Sequence, residues 1–358
     1  DEGPSYWGVA GSILYESLAL LKDATAGKFD VFDDPLIRNI GAYFPKVNIH
    51  APYFINFADA DATTGGNPAT VFMYGKSIKD VQMQQFGAYL AKLNKWGENA
   101  PGGKICDQIE NLVLLPEITT AEASEALVPD FWLPETEIAG GRDREGSYSG
   151  FFFGAKGGFN AESHNHNDVG SCLMYFDGKP CLIDLGRETY TSKTFGPRRY
   201  EIWTMQSAYH NLPVINGFEQ KEGEEYRAKN TAFTSDSKKI SFSTDIAGAY
   251  PAGAKVKSWV RTYTLNRGKS FVISDKYVLN SLSDAPTSSN LITYCTVREA
   301  KPGELIFEGE GFSLKMSYDP SKMKASVQYI EVNDAGLKRY WPKGVTRIVL
   351  DYIKPGLS

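Results

Sequence analysis

GFFFGAKGGFNAESHNHNDVGSCLMYFDGKPCLIDLG, residues 150–186, decides the fold class. Its apolar, aromatic-rich runs at 151–155, 172–176 and 181–185 read as strands, and Asp177-Gly178 is a two-residue hairpin signal. The stretch is therefore a strand, a glycine-containing connection, a second strand, a tight turn and a third strand. The same texture continues in KISFSTDI (239–246), WVRTYTLN (259–266), KSFVISDKYVL (269–279), NLITYCTV (290–297) and VTRIVLDYI (345–353), separated by NRG, KPG and similar turns. Roughly ten such strands are too many for one small sheet, so the pattern predicts stacked antiparallel sheets.

Upstream the period changes. WGVAGSILYESLALLKDATAG (7–27) sets Ala10, Leu14, Leu18 and Leu21 at helical spacing, with Gly27 as a stop. DDPLIRNIGAYF (33–44) has an acidic start and a proline in the first turn. SIKDVQMQQFGAYLAKLNKW (77–96) offers Ser77 as a cap, followed by Phe86, Leu90 and Leu93 on one face. Glu2 reads as an N-terminal cap of the first helix. The expected organisation is α+β and multidomain: helices over 1–115, then a β-sandwich over 116–358, the changeover falling near PGGKICDQIENLVLLP.

Composition narrows the function classes. The 358 residues are 42% hydrophobic and 23% charged, enough for a large core. A net charge of −5, with acids and bases interspersed, offers no basic face for nucleic acid, and no run of about 18 apolar residues exists to span a membrane. A local cluster of arginine and lysine can still hold an acidic substrate. Cys106, Cys172, Cys181 and Cys295 lack paired metal-knuckle spacing and read as free, mostly buried thiols, although Cys172 and Cys181 flank the DG turn. Nothing in the sequence signals an oligomeric state.

Four histidines occur in the chain, and two stand one residue apart in HNHND (164–168). In an extended segment residues i and i+2 face the same side, so His164 and His166 are expected together. Downstream, Asp184 ends the strand CLIDLG and His210 lies in MQSAYHNLPV. His166, Asp184 and His210 make a two-histidine, one-carboxylate set of the ligand types zinc accepts; the alternative is three separate polar residues bonded to backbone. His50 has no evident partner and reads as structural.

GGFNAESHNHNDVGSCLMYFDGKPCLIDLG followed by RRYEIWTMQSAYHNLPVING resembles the β-sheet domain of the heparinase II/III superfamily, which includes oligoalginate lyases of the same architecture. The opening DEGPSYW resembles the start of a late helical hairpin in that family's α/α toroid. The resemblance implies the C-terminal part of an incomplete α/α toroid followed by a large antiparallel β-sandwich, within a larger lyase. It also implies β-elimination on a uronic-acid-containing polysaccharide or oligosaccharide, alginate or glycosaminoglycan, in the periplasm or outside the cell. RRY and WTMQSAYHN resemble the alginate branch.

Residue by residue, the resemblance makes Tyr6 the catalytic tyrosine that protonates the leaving oxygen, and His164 the histidine that assists at the substrate. His166, Asp184 and His210 match the ligands of a zinc ion with a bracing role. Arg187, Arg198, Arg199 and Tyr200 lie between two of those ligands, and a guanidinium is a natural bidentate partner for a uronate carboxylate. Asn165 and Asn167 are expected to bond backbone, and Asp168 to orient an imidazole. Two rival classes stand beside the lyase: a non-catalytic carbohydrate-binding protein using its many aromatic residues, and a metal-dependent hydrolase using an activated water.

Overall fold

The computed structural model describes residues 3–98 and 105–358, and for Cys106 and Asp107 only the backbone. The expected Glu2 cap and the Cys106 thiol lie outside what is described. The chain divides into two compact units, one of residues 3–54 and 63–128, the other of 55–62 and 129–358.

The first unit is helical: α1 (Pro4–Ala24), α2 (Pro35–Lys46), α3 (Pro68–Ser77), α4 (Val81–Leu93) and α5 (Ile105–Thr120). Asp34 caps α2 by accepting from the Leu36 amide, with Pro35 in the first turn as expected. The predicted inner face of α1 is displaced: Ala10 and Leu21 are exposed, while Trp7 and Gly11 are buried. The indole decides this, because one aromatic ring outweighs several methyl groups in buried area. Trp7 stacks on Phe44 at 4.8 Å and lies over Gly11, where a Cβ would sit 2.7 Å from the ring.

Ser77 ends α3 instead of starting α4. Lys79, with φ 60°, reverses the chain, and the Asp80 carboxylate accepts from the Met83 amide as the true cap. Gly87 lets α4 close onto α3, since a Cβ there would lie 2.5 Å from the Phe72 nitrogen. The expected changeover at 115/116 cuts through α5, which runs past Pro116 to Thr120. A proline removes one amide from the ladder without forbidding the next turn, and the unit closes only at Val128. His50 finds a partner inside this unit: its Nδ1 is 2.9 Å from Glu125 Oε2, and Glu125 also accepts from the Ala51 amide at 2.6 Å.

The second unit is a layered antiparallel β structure. Its largest sheet, nine strands among the described residues, runs in the order 323–330, 345–352, 288–293, 179–182, 172–176, 151–156, 138–142, 130–133, with 213–214 pairing beside 288–293. A four-stranded meander of 229–235, 239–245, 256–266 and 270–279 covers it, and a three-stranded sheet of 296–301, 304–308 and 313–317 extends the cover. Alternation does the work: Trp259, Arg261, Tyr263 and Leu265 point inward from one strand. Ile240, Phe242, Tyr263 and Leu265 meet Ala139, Phe153, Ala155 and Cys172 between the sheets. The expected sandwich is thus present, with more strands than the sequence marked. Cys172, Cys181 and Cys295 are buried free thiols. Cys172 does not face Cys181, because the register places Met174 opposite Leu182.

Candidate functional site

The site is assembled by three segments of the β unit: 164–168 with its flanks, 184–210, and the short piece 55–62, which comes from the helical stretch of sequence. That piece is tied in where the strand 179–182 ends. Asn56 Nδ2 donates to the Asp184 carbonyl at 3.1 Å, and Gly186, at φ 70°, passes close beneath the Ala60 carbonyl, where a Cβ would lie 2.9 Å away. The glycine of LIDLG is required by that turn and that approach.

HNHND is irregular backbone that begins at a turn, and not the extended segment expected. His164 has φ 57°, in the left-handed region. The two rings meet one carboxylate, one at each oxygen. Asp59 Oδ2 lies 2.9 Å from His164 Nδ1, and Asp59 Oδ1 lies 3.0 Å from His166 Nε2. The same carboxylate accepts from Arg199 Nη2 at 2.8 Å and from the Tyr190 hydroxyl at 3.1 Å. Burial alone would raise the Asp59 carboxyl, but the His166 hydrogen bond and charge, with the Arg199 guanidinium, hold it well below the usual carboxylate range. His164 keeps 18% of its side chain exposed while His166 is fully buried.

Beyond His166 lies the three-residue cluster. One ligand atom each from His166, Asp184 and His210 fall within 4.8 Å of one another, and all three residues are buried. Among the described residues this is the one such group. His210 Nδ1 sits 2.9 Å from Asp184 Oδ2, while His210 Nε2 and His166 Nδ1 are buried without a hydrogen-bond partner. Buried ring nitrogens are normally satisfied, so two orphans beside a carboxylate fit a divalent cation with nitrogen and oxygen ligands, and zinc suits that donor set. Burial opposes charge on both partners, yet their attraction lowers the Asp184 carboxyl and raises His210.

Asn211 fastens the His210 loop. Its amide donates to the Cys172 and Ile183 carbonyls at 2.6 and 3.0 Å, and its oxygen accepts from the Ile292 amide at 2.7 Å. Arg261, paired with Asp275 inside the sandwich, donates to the Asn211 carbonyl at 2.6 Å. On the other side, Lys156 Nζ is clamped by Asp168 at 2.8 Å and Glu162 at 3.0 Å. Asp168 therefore orients no imidazole, contrary to the sequence expectation: a buried ammonium claims it, and Asp59 takes the orienting role. Asn165 donates to the Tyr200 hydroxyl and Asn167 to the Gln220 carbonyl, as structural residues would.

The arginine candidates separate. Arg199 spends all three nitrogens on protein: Asp59, the Asn165 carbonyl at 2.8 Å and the Thr194 carbonyl at 2.9 Å. Arg198 is exposed and held bidentate by Glu201 at 2.8 Å. Arg187 lies 4.4 Å over the Tyr190 ring and 3.5 Å from Asp61. The Tyr200 phenol, half-buried, is raised above its ordinary pKa by burial. Tyr6 stands in the first turn of α1, half-buried, in the helical unit. Asp59 and Tyr190 are the residues sequence reasoning missed.

A family profile described as Heparinase II/III-like, C-terminal, matches residues 134–311. Solved structures with the same fold include a heparan sulfate lyase from Pedobacter heparinus, at TM-score 0.72 and 13% identity over 100% of this chain and 50% of that one. A heparinase III structure matches at TM-score 0.70 and 13% identity over 98% of this chain and 51% of that chain. Another heparinase III, the BT4657 gene product, matches at TM-score 0.64 and 15% identity over 98% and 50%. No curated protein matches the sequence. Residues 134–311, within the sandwich domain, are of the heparinase II/III-like C-terminal type. It spans about half the length of the solved structures it matches.

Proposed function

We propose that the protein is a polysaccharide lyase that cleaves a uronic-acid-containing chain by β-elimination. The observation that carries this reading is a half-buried histidine, His164, held beside a buried metal-type trio within a heparinase II/III-like domain. Elimination needs a base for the proton on C5, next to the uronate carboxylate, and an acid for the oxygen leaving C4. As the C5–H bond breaks, its electrons form the C4=C5 double bond and the C4–O bond opens. His164 is assigned to the substrate side, taking the C5 proton or donating to the carboxylate as charge builds there. Tyr6 is assigned the proton delivered to the leaving oxygen, which its phenol O–H can donate.

His166, Asp184 and His210 would hold zinc, and a bound ion supplies a fixed positive charge that braces the loop carrying His164. The burial of all three ligands supports that bracing role over direct contact with substrate. Arg187, whose guanidinium lies over the ring of Tyr190, itself next to His164, is assigned to the uronate carboxylate, and Tyr200 to substrate contact. Arg199 fits a positioning role. Glycosaminoglycans and alginate both present the required uronate, and such polymers place the protein in the periplasm or outside the cell.

The test is an ultraviolet assay for unsaturated uronate ends, using the protein at its full natural length on alginate, heparan sulfate, hyaluronan and a neutral glucan. A rise on an acidic polymer, abolished in His164→Ala and Tyr6→Phe, is expected. Binding without cleavage, or saturated fragments, would overturn the lyase reading.

A further inference from the structure

We infer that Asp59 is a shared positioning residue that sets opposite tautomers in the two histidines of HNHND, turning one toward substrate chemistry and the other toward a metal. The geometry is specific. A neutral imidazole carries one proton, on Nδ1 or on Nε2, and a carboxylate selects whichever nitrogen faces it. Asp59 faces Nδ1 of His164 at 2.9 Å and Nε2 of His166 at 3.0 Å. The proton is thereby held on Nδ1 of His164, leaving its Nε2 as the lone-pair nitrogen. In His166 the proton is held on Nε2, leaving Nδ1, the orphaned buried nitrogen beside Asp184 and His210.

Two residues separated by a single position would otherwise share one environment. The left-handed backbone at His164 splits them across one carboxylate. Arg199 and the Tyr190 hydroxyl complete the ring of donors around Asp59, so both oxygens are saturated and the carboxylate is held in place. Asp59 touches neither the proposed substrate nor the proposed metal; it acts through the two rings. Its role for His164 rests on the lyase reading above, whereas its role in the tautomers does not.

With four histidines in the chain, a long-range proton–nitrogen correlation spectrum of nitrogen-15-labelled protein resolves each ring. Single His→Gln variants supply the assignments. In the wild type His164 is expected with its proton on Nδ1 and His166 with its proton on Nε2, a pattern requiring no variant to fold. In Asp59→Asn the amide can accept from one ring only, so at least one histidine should change tautomer, and zinc retained after dialysis should fall tenfold or more. Asp59→Glu should restore part of both. A wild-type spectrum with both rings in the same tautomer would overturn the inference, as would an Asp59→Asn protein with unchanged tautomers and zinc. If no acidic polymer is cleaved but the tautomers are split as stated, the lyase reading falls and the role of Asp59 stands.

Discussion

Replacing Lys156 by methionine should damage the protein more than any surface charge would. Its side chain is 2% exposed, and its two partners, Asp168 and Glu162, are 0% and 8% exposed. The burial penalty on Lys156 is outweighed by the two carboxylates, which raise it above the ordinary lysine pKa, so the ammonium is charged throughout the neutral range. Lys156→Met keeps the aliphatic volume and strands two carboxylates in a site with little water. Breaking a buried ion set from one side costs about 3–5 kcal/mol, whereas removing all of its charges together is often close to neutral. Guanidinium unfolding followed by tryptophan fluorescence should therefore show Lys156→Met destabilised by about 3–5 kcal/mol. The triple variant Lys156→Met, Glu162→Gln, Asp168→Asn should recover most of that loss. A single variant within about 1 kcal/mol of wild type would refute the claim that this clamp is desolvated.

The buried metal cluster predicts that a chelator lowers the melting temperature and that zinc restores it, with no such response in His210→Ala; calorimetry with and without added zinc checks this. Glu125 is buried, which opposes ionisation, but its bonds to His50, Ala51 and Asn48 hold its pKa below the ordinary 4.5. Because the folded value lies below the unfolded one, this stabilisation is present above pH about 4.5 and is lost as pH falls through the folded value. Glu125→Gln should flatten that acid-side loss, read as helical circular dichroism during acid titration. Gly87→Ala sets a methyl against the α3 backbone and should cost about 1–3 kcal/mol, measured by urea unfolding.

Much of the β domain was legible because strand alternation and DG-type turns are local signals, and the ligand trio stood out because histidine is scarce in this chain. Asp59 was not legible. It lies 105 residues from His164, in a piece of the helical stretch that folds into the β unit, and no periodic pattern marks that excursion. Tyr190 was hidden for a similar reason, since only the loop's return places its hydroxyl 3.3 Å from His164 Nδ1. The extended reading of HNHND failed because spacing cannot reveal a left-handed residue at His164. Asp168 was assigned to an imidazole because the competing ammonium, Lys156, lies twelve residues earlier on a strand that read as wholly apolar in purpose.

Oxygen labelling tests the central claim most directly. The full-length protein would be given uronate polymers in water enriched in oxygen-18, and any fragments weighed by mass spectrometry. Elimination breaks C4–O without adding water, so the account predicts unsaturated fragments carrying no solvent oxygen. One solvent oxygen per cleavage, on saturated fragments, would contradict it and make the His166, Asp184 and His210 cluster the centre of a metal-dependent hydrolase.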